Sequence, residues 1–463
     1  MIPVLDVLGV IVLGAPAFAL LLLAVAHLAL GAGLAERRIQ QVTAASFAVG
    51  LLAALSLAAL LAMGDVPRVA VSLGSLLSLR GYQFDVAMEL RATTLLLLTL
   101  TFVLAGLVGV YSARYLHRDE GFFRFYLLLV VFAIGMELIA TARSLTLLFA
   151  GWELVGVTSA LLIAFYFRRS GPTRHGLRAY ATYRATDVGL LLAVAILEHH
   201  GHTADFDRLG LVVIDAPWLG AVAGLVILGA MGKGAVMPLS GWLPKAMEGP
   251  TPSSAIFYGA LSVHASPYLL LRAAPLLDRV PWAAPTVVGL GALTAVHATL
   301  VGRTRPDIKT ALGYASVAQV GLIWMEVGLG WHNLALAHIA GHAALRTWQL
   351  LRSPSVLSER AMMRLRTGRD SWWAAVGVER LVPARARAWL YRVCLEAWYL
   401  DQAGRVMLIN PLAALLRRLD RWDARVRGWL GADDRVGLGP MPVAQVDEAL
   451  ARHTSRHPAP RPP

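Results

Sequence analysis

The chain is poor in charged residues, in cysteine and in lysine, and each shortage carries information about the protein. Only 15% of its 463 residues are charged and 57% are hydrophobic, whereas a soluble domain carries about 25% charged residues. The composition therefore excludes an ordinary soluble globular protein. The single cysteine, Cys394, excludes an intramolecular disulfide. Only three of the 42 basic residues are lysines, so arginine serves wherever a plain positive charge suffices.

Long apolar runs are abundant, and they predict a membrane protein. Windows of 18 or more apolar residues recur along the first three quarters of the chain, which is the length of a membrane-spanning helix. We predict an all-α fold, a polytopic helical bundle. Its eleven spans lie near residues 4–31, 40–63, 91–112, 122–141, 143–166, 178–200, 218–236, 251–275, 282–302, 308–329 and 332–352. The first span has no basic segment before it and is long enough to stay in the bilayer, so we expect no cleavable signal.

The basic residues predict the orientation. The net charge is +13, but the arginines lie in short loops and in the tail, which favours loops facing anionic lipid over nucleic-acid binding. Loops after odd-numbered spans carry 14 lysines and arginines, and loops after even-numbered spans carry 7. We therefore expect a cell-membrane protein with the N-terminus outside and the C-terminus in the cytoplasm.

The character of the sequence changes after Leu357. We predict a transmembrane ion-conducting domain at 1–357, a cytoplasmic-side region of amphipathic lateral helices at 358–452, and a disordered tail at 453–463. In the middle segment charged and apolar residues alternate at helical spacing, and tryptophans recur, which is typical of helices that lie on a membrane or on a partner. A final span near 388–416 is the alternative for that segment.

Ionisable residues inside the predicted spans are the candidate site. A charged group near the bilayer centre costs at least about 2.5–3.5 kcal/mol on insertion scales, so each such residue needs a partner or a task. The spans contain Glu137, Glu153, Arg184, Asp187, Lys233, His264, His297, His338, His342 and Arg346.

Lys233 is the most informative of these residues, because lysine is so rare in this chain. Arginine keeps its proton, whereas a buried lysine can release one. Pro238 follows five residues later and predicts a broken helix, and broken helices beside ionisable groups are typical of ion paths. We interpret Lys233 as a group that takes up and releases protons. The alternative is a lysine that only pairs or reaches the interface.

Spacing groups the remaining candidates. Arg184 and Asp187 are three residues apart on one helix face and can pair, while His338, His342 and Arg346 form one polar stripe. Two histidines four residues apart could bind a metal. No third ligand is near in sequence and an arginine shares the face, which favours a proton relay and no metal.

Five segments in this order resemble one family. They are "LLFAGWELVGVTSALLIAFYF", "LRAYATYRATDVGLLLA", "GKGAVMPLSGWLPKAMEGPTPSSA", "DIKTALGYASVAQVGLI" and "HIAGHAALRT". Together they resemble the antiporter-like membrane subunits of respiratory NADH dehydrogenase and of Mrp-type cation/proton antiporters, over roughly residues 80–355. The resemblance implies two inverted-repeat halves with broken helices and a hydrated polar axis that carries protons. By this resemblance the axis includes Glu153, Arg184, Asp187, Lys233, Lys309, His338 and His342.

Departures from the family narrow the expectation. Tyr258 stands where the family's helix-eight histidine is usual, His264 is off that face, and Arg346 replaces the helix-eleven lysine. The family's later helices are missing before a segment that looks like its lateral helix. This shortened form is similar to the DabB subunits of inorganic carbon uptake systems, which implies a large zinc-bearing, carbonic-anhydrase-like partner.

We therefore expect a proton- or sodium-conducting membrane subunit that energises uptake of CO₂ or bicarbonate, with zinc in the partner and no cofactor in this chain. The first alternative is a proton-translocating subunit of an NADH dehydrogenase-like or Mrp-type complex. The second is a scaffold that has lost conduction. A self-contained enzyme is not indicated, because no nucleotide-binding loop, zinc ligand set or nucleophile elbow occurs in the sequence.

Overall fold

A computed structural model describes residues 2–31, 34–64, 68–79, 82–305, 307–367, 383–404, 406–407 and 410–429. The first seven α-helices of the described chain are α1 (Ile2–Leu30), α2 (Glu36–Met63), α3 (Ala92–Tyr115), α4 (Phe122–Thr141), α5 (Leu145–Ile163), α6 (Ser170–Gly201) and α7 (Ala216–Gly234). They are followed by α8 (Thr251–Ser253), α9 (Ala265–Leu277), α10 (Ala283–Gly302), α11 (Ile308–Gly328), α12 (His332–Thr367), α13 (Ala384–Leu395), α14 (Leu400–Gly404) and α15 (Asn410–Trp429). The predicted helical-bundle class is confirmed.

Among the described residues, nine helices are long and apolar enough to cross a membrane. They are Val4–Leu30, Glu36–Met63, Ala92–Tyr115, Phe122–Thr141, Leu145–Ile163, Ser170–Gly201, Ala216–Gly234, Thr251–Leu277 and Ala283–Gly302. The chain is thus a multi-pass membrane protein. The last two predicted spans, 308–329 and 332–352, are helical as α11 and α12, but polar side chains such as Gln319 and His342 interrupt their apolar stretches.

A β-hairpin lies between α2 and α3, and the sequence analysis did not predict it. Strand β1 (Val69–Leu79) pairs antiparallel with β2 (Tyr82–Leu90). The hairpin also contacts the α4–α5 turn, where the Arg143 N–H donates to the Ala87 carbonyl at 3.0 Å. It therefore covers the end of the bundle at which α4 meets α5.

Four charged side chains tie this hairpin to the loop between α6 and α7. Arg68 Nη1 lies 2.9 Å from Glu89 Oε1, and Arg91 Nη2 lies 2.9 Å from Asp207 Oδ1. Arg91 also pairs with Glu89, and Arg68 with Asp207. The buried Glu89 carboxylate is thus compensated by two guanidinium groups.

Two glycines bring α4 and α5 into close contact. A Cβ added at Gly151 would lie 2.6 Å from the Gly135 carbonyl oxygen, a separation that real side chains do not tolerate. Small residues at a helix interface let the two backbones approach in this way. This close approach holds the next two residues of α5, Trp152 and Glu153, in position beside α6.

Helix α7 breaks where the sequence predicted a break. It ends at Gly234, and Ala235 adopts a left-handed conformation with φ of 53°. Two 3₁₀ turns, Ser240–Trp242 and Pro244–Glu248, then precede α8. The break frees the Gly232 carbonyl from regular helical bonding, and the indole Nε1 of Trp242 donates to it at 3.0 Å.

The span Thr251–Leu277 is irregular at its centre. A π-helical segment, Ser254–Leu261, and a 3₁₀ turn, Ser262–His264, separate α8 from α9. Such π segments are rare and occur frequently at functional sites. Here the irregular part carries both Tyr258 and His264.

The chain divides into two compact units, Met1–Trp398 and Tyr399–Pro463. Helix α12 continues to Thr367, past the boundary predicted at residue 357. Helix α13 belongs to the first unit, in which Arg305 Nη2 donates to the Leu395 carbonyl at 2.9 Å.

The second unit contains α14 and α15, and α15 exposes apolar side chains such as Trp422 beside charged ones. The alternative span at 388–416 is interrupted, since Trp398 has a φ of 59°. The predicted tail at 453–463 lies outside the described residues.

Candidate functional site

Lys233 lies in a completely buried pocket between α5, α6 and α7. Its Nζ donates a hydrogen bond to the main-chain carbonyl of Trp152 at 2.9 Å. The same atom is 4.7 Å from the centroid of the Trp152 ring and 4.9 Å from that of Tyr183, within the range of cation–π attraction. A carbonyl and two aromatic faces thus hold the buried amine.

Two acidic side chains, Asp187 and Glu153, are linked to this amine through Trp152 and Arg184. Asp187 Oδ1 accepts from the Trp152 indole Nε1 at 2.7 Å, and its Oδ2 accepts from Arg184 Nη2 at 2.9 Å. Arg184 also forms an ion pair with Glu153. The pair predicted from the three-residue spacing of Arg184 and Asp187 is present, and the Glu153 carboxylate faces it. We call Trp152, Glu153, Arg184, Asp187 and Lys233 the lysine cluster.

Trp152 is the member of the lysine cluster that the sequence analysis missed. Its carbonyl accepts from Lys233 and its indole donates to Asp187, so one residue bridges the amine and the acid. The available signal was its position directly before Glu153 in "GWELVG". With both acids ionised and both bases protonated the cluster is electrically neutral, and loss of the Lys233 proton leaves one net negative charge.

A second group, the histidine cluster, consists of the buried His264, His342 and Arg346 and the partly buried His338, Gln319 and Glu326. His264 Nε2 and His342 Nδ1 are 2.9 Å apart. The remaining nitrogens of these rings are also paired, since His264 Nδ1 faces the Ala260 carbonyl and His342 Nε2 lies 3.4 Å from Arg346 Nε.

These end groups determine the hydrogen positions in the neutral state. A carbonyl only accepts and a guanidinium only donates. His264 therefore carries its hydrogen on Nδ1, and His342 carries its hydrogen on Nδ1 and donates to His264. The result is a directed chain from Arg346 to the Ala260 carbonyl, in which both rings can exchange tautomers as a proton passes.

His338 is held by α11. Its Nδ1 lies 2.8 Å from Glu326 Oε1, and its Nε2 lies 2.9 Å from Gln319 Oε1. The His338 and His342 ring centroids are 6.4 Å apart. Neither Glu326 nor Gln319 was among the residues predicted from the sequence. The signal for Glu326 was an acidic residue inside the predicted span 308–329.

Aromatic side chains separate the two clusters. The Tyr183 and Trp242 ring centroids are 4.9 Å apart, and those of Trp242 and Tyr258 are 5.9 Å apart. Tyr258 donates its hydroxyl to the Ser159 carbonyl of α5 at 2.6 Å, whereas His264 faces α12. Tyr258 and His264 therefore point to different sides of their span, as expected from the sequence, and His264 points towards the histidine cluster.

Three candidates lie apart from the contacts described for these clusters. Glu137 is buried in α4, and its Oε1 has no hydrogen-bond partner among the described residues. Lys309 is half-buried in the first turn of α11, after the N-cap Asp307. His297 packs edge-on to Trp398, with centroids 4.9 Å apart. For Glu137 and Lys309 a place in a proton path stays a prediction.

Within the described ranges no group of three or more His, Cys, Asp or Glu side chains could hold a metal ion.

Comparison with known proteins matches two parts of the chain to family models. Residues 142–370 match the NADH:quinone oxidoreductase/Mrp antiporter transmembrane family, and residues 76–126 match the N-terminus of complex I chain 5. The first match contains the lysine and histidine clusters in full.

Curated relatives agree with these matches. The chloroplastic NAD(P)H-quinone oxidoreductase subunit 5 of Nephroselmis olivacea is 36% identical over 285 residues, which are 60% of this chain and 43% of that protein. Chain 5 of the NAD(P)H-quinone oxidoreductase of a Synechocystis species is 35% identical over 285 residues, 60% of this chain and 41% of that protein. The chain thus matches about two fifths of the length of these relatives.

Solved structures share the fold. A chain of the Mrp complex of a Dietzia species aligns with a TM-score of 0.62 at 24% identity, covering 75% of this chain and 37% of that one. A chain of an archaeal membrane-bound sulfane sulfur reductase aligns with a TM-score of 0.64 at 17% identity, covering 75% of this chain and 70% of that one.

Proposed function

We propose that the chain is an antiporter-like membrane subunit similar to those of NADH:quinone oxidoreductase and Mrp complexes, and that it translocates protons across the membrane. The observation that supports this most is the position of Lys233. Its amine is buried, and Trp152 connects it to an acid that also pairs with a guanidinium. A buried amine in such a network can change its charge while its neighbours compensate.

The lysine cluster and the histidine cluster serve as two stations of this path. A proton that leaves Lys233 turns the lysine cluster negative, which favours uptake of the next proton. The neutral pair of His264 and His342 can accept a proton and exchange tautomers. The two stations exchange protons past the aromatic residues that lie between them, through water in the hydrated axis that the family resemblance implies.

Proton flux in sealed membrane vesicles tests this function. The vesicles contain the chain with the subunits that co-purify with it, a potassium diffusion potential drives the flux, and a pH-sensitive dye reports it. We expect flux above that of vesicles without the chain, and background flux for Lys233→Ala in an assembled complex. Equal flux with and without the chain would contradict the proposal. Replacing sodium in the solutions inside and outside the vesicles distinguishes proton flux from sodium flux.

We further propose that this flux energises capture of CO₂ or bicarbonate by a large zinc-bearing partner on the cytoplasmic side. Two segments, "FYGALSVHASPYLLLR" and "HAALRTWQLLRSPS", support this proposal by their similarity to the DabB subunits. The alternative, a subunit of an NADH dehydrogenase-like or Mrp-type complex, is favoured by the names of the matched relatives.

The composition of the purified complex separates these two assignments. After extraction in mild detergent, a single large subunit with stoichiometric zinc supports the carbon-uptake assignment. Several further antiporter-like subunits, or quinone-linked ones, support the alternative and contradict the first. Carbon uptake by cells that carry Lys233→Ala provides an independent readout, since it should fall with proton flux.

The second unit of the chain is the proposed docking segment for that partner. In α15 the acids Asp420 and Asp423 interrupt a basic sequence, and Arg427 Nη2 pairs with Asp423 at 2.9 Å. Lipid binding alone favours a cleaner basic face, so embedded acids suggest a protein contact as well. Truncation after Trp398 keeps α13 on the first unit and should release the partner. Full recovery of the partner with the truncated chain would favour a purely membrane-resting helix.

A further inference from the structure

Glu326 is a partly buried acid that pairs with His338 in the histidine cluster. Its Oε1 pairs with His338 Nδ1 at 2.8 Å, while its Oε2 is buried with no hydrogen-bond partner in the described part of the chain. An unpaired carboxylate oxygen inside a membrane protein is costly. A function in which this oxygen binds a proton accounts for its retention.

The depth of these residues follows from the helices that carry them. Glu326 lies near the C-terminal end of α11 and His338 near the N-terminal end of α12, so both are close to the turn that connects the two helices. From the first residue of α12, His338 lies about 9 Å and His342 about 15 Å along the helix axis. The order from the α11–α12 turn towards the centre of the span is thus Glu326, His338 and His342.

Exposure distinguishes the two groups nearest the turn from the two histidines behind them. The side chains of Glu326 and His338 are 15% and 22% exposed, whereas His342 and His264 are buried. The groups that approach the surface are therefore the acid and the first histidine, and the paired histidines lie behind them.

The geometry points to Glu326 as the terminal proton-exchange group of the histidine cluster at the α11–α12 turn, and we propose that it passes protons through His338 to His342 and His264. This proposal rests on the proposed function and extends it by an access route. By the loop charges the turn lies on the outer face of the membrane.

Each transfer conserves the proton. Glu326 takes a proton from water and gives it to Nδ1 of His338, whose Nε2 already carries the hydrogen that Gln319 Oε1 accepts. The imidazolium then releases its Nε2 proton towards Nε2 of His342, the nitrogen of that ring that carries no hydrogen in the neutral state. Because the two ring centroids are 6.4 Å apart, this step needs ring rotation or one bridging water. Return of a proton from the histidines to Glu326 reverses the same steps.

Removal of the carboxyl tests the route in the vesicle assay described above. Glu326→Gln should lower proton flux at least about tenfold, because a positioned proton-transfer group typically contributes about 10²–10⁴-fold. Glu326→Asp should keep most of the flux. Added formate, a small weak acid that can carry the proton in place of the carboxyl, should restore flux in Glu326→Gln. A residue that only supported the helices would not be rescued by formate.

Asp278→Asn is the matched control, since Asp278 is an exposed acid at the end of α9 on the same side of the bundle. It should conduct like the wild-type protein. His338→Gln provides a second variant if Glu326→Gln does not assemble, and it should show the same loss of flux.

The outcomes separate this route from the proposed function. Wild-type flux in assembled Glu326→Gln or His338→Gln, with background flux in Lys233→Ala, would overturn the route and leave the function. A loss of flux in Glu326→Gln that formate does not restore would also overturn the route. Wild-type flux no higher than that of vesicles without the chain would overturn the function and, with it, this route.

Discussion

Lys233 Nζ donates to the carbonyl of Trp152 at 2.9 Å, and this contact joins one of the chain's three lysines to the residue directly before Glu153. The amine therefore has no single acidic partner in the described contacts. It is coupled to Asp187 through the Trp152 indole and to Glu153 through Arg184. Changes at any of these residues should alter proton transfer at Lys233.

Glu153→Gln tests this coupling. The amide keeps the size of the side chain but removes the charge that Arg184 shares between two carboxylates, so the cluster gains a net positive charge beside Lys233. We expect a complex that assembles normally and conducts at least about tenfold more slowly.

A control variant and a double variant test whether Glu153 acts together with Lys233. Glu120→Gln is the control, because Glu120 pairs with Arg168 in a largely exposed position, where ion pairs contribute little. Glu153→Gln combined with Lys233→Ala should be no worse than the more severe single variant. Additive losses of flux would mean that the two residues act independently.

Gly156→Ala tests the space around the amine. A Cβ at this position would lie 3.3 Å from Lys233 Nζ, so the amine must shift by a few tenths of an ångström, and 3.6 Å from Arg184 Nη2, which is an ordinary contact distance. Because proton transfer requires precise geometry, we expect flux to fall at least about threefold without loss of the folded complex. Gly106→Ala is the control, since its Cβ would meet nothing closer than Phe47 Cβ at 3.8 Å. Equal flux in the two variants would show that the pocket has room to spare.

Much of the lysine cluster could be predicted from the sequence, because its signals are local. The scarcity of lysine identified Lys233, the downstream proline predicted the helix break, and the three-residue spacing predicted the Arg184–Asp187 pair. The contribution of Trp152 could not be predicted in this way. Its carbonyl and its indole act on two different helices, and only the packing of α5 between them brings these contacts together.

The histidine cluster shows the limit of periodicity more clearly. The sequence spacing placed His338, His342 and Arg346 on one face of α12. The hydrogen-bond partner of each ring, however, depends on the axial position at which α11 and the irregular span Thr251–Leu277 pack against α12. Glu326, Gln319 and the orientation of His264 all follow from that alignment.

The hairpin was missed for a different reason. Strand β1, "VAVSLGSLLSL", alternates only weakly, so its apolar residues are hard to distinguish from a loop that borders a span.

Asp207 gives a prediction about acid stability outside the membrane. Burial disfavours the charged form, but hydrogen bonds from Arg91 and Arg68 outweigh it and lower the pKa of Asp207 below its ordinary value of 3.8. A carboxyl with a lowered folded-state pKa stabilises the fold above its unfolded pKa, and this stabilisation is lost as the pH falls through the folded pKa.

Asp207→Asn should therefore lower the thermal unfolding midpoint at pH 7, by about 2 °C for so partly exposed a pair. As the pH falls from about 4 through the lowered folded-state pKa, the difference from wild type should shrink, because the wild-type carboxyl then becomes protonated in the folded state as well. The measurement is the unfolding midpoint in detergent across this pH range. A difference that stays constant with pH would mean that the carboxyl charge is not what stabilises the hairpin.

Substitution of Lys233 by arginine tests the central claim most directly, because arginine keeps the positive charge and does not release its proton. The measurement is proton flux in vesicles that contain the assembled Lys233→Arg complex, beside wild type and Lys233→Ala. The account predicts background flux for both variants, since the charge alone is not enough. Wild-type flux through the Lys233→Arg protein would contradict the claim that Lys233 takes up and releases the transported proton.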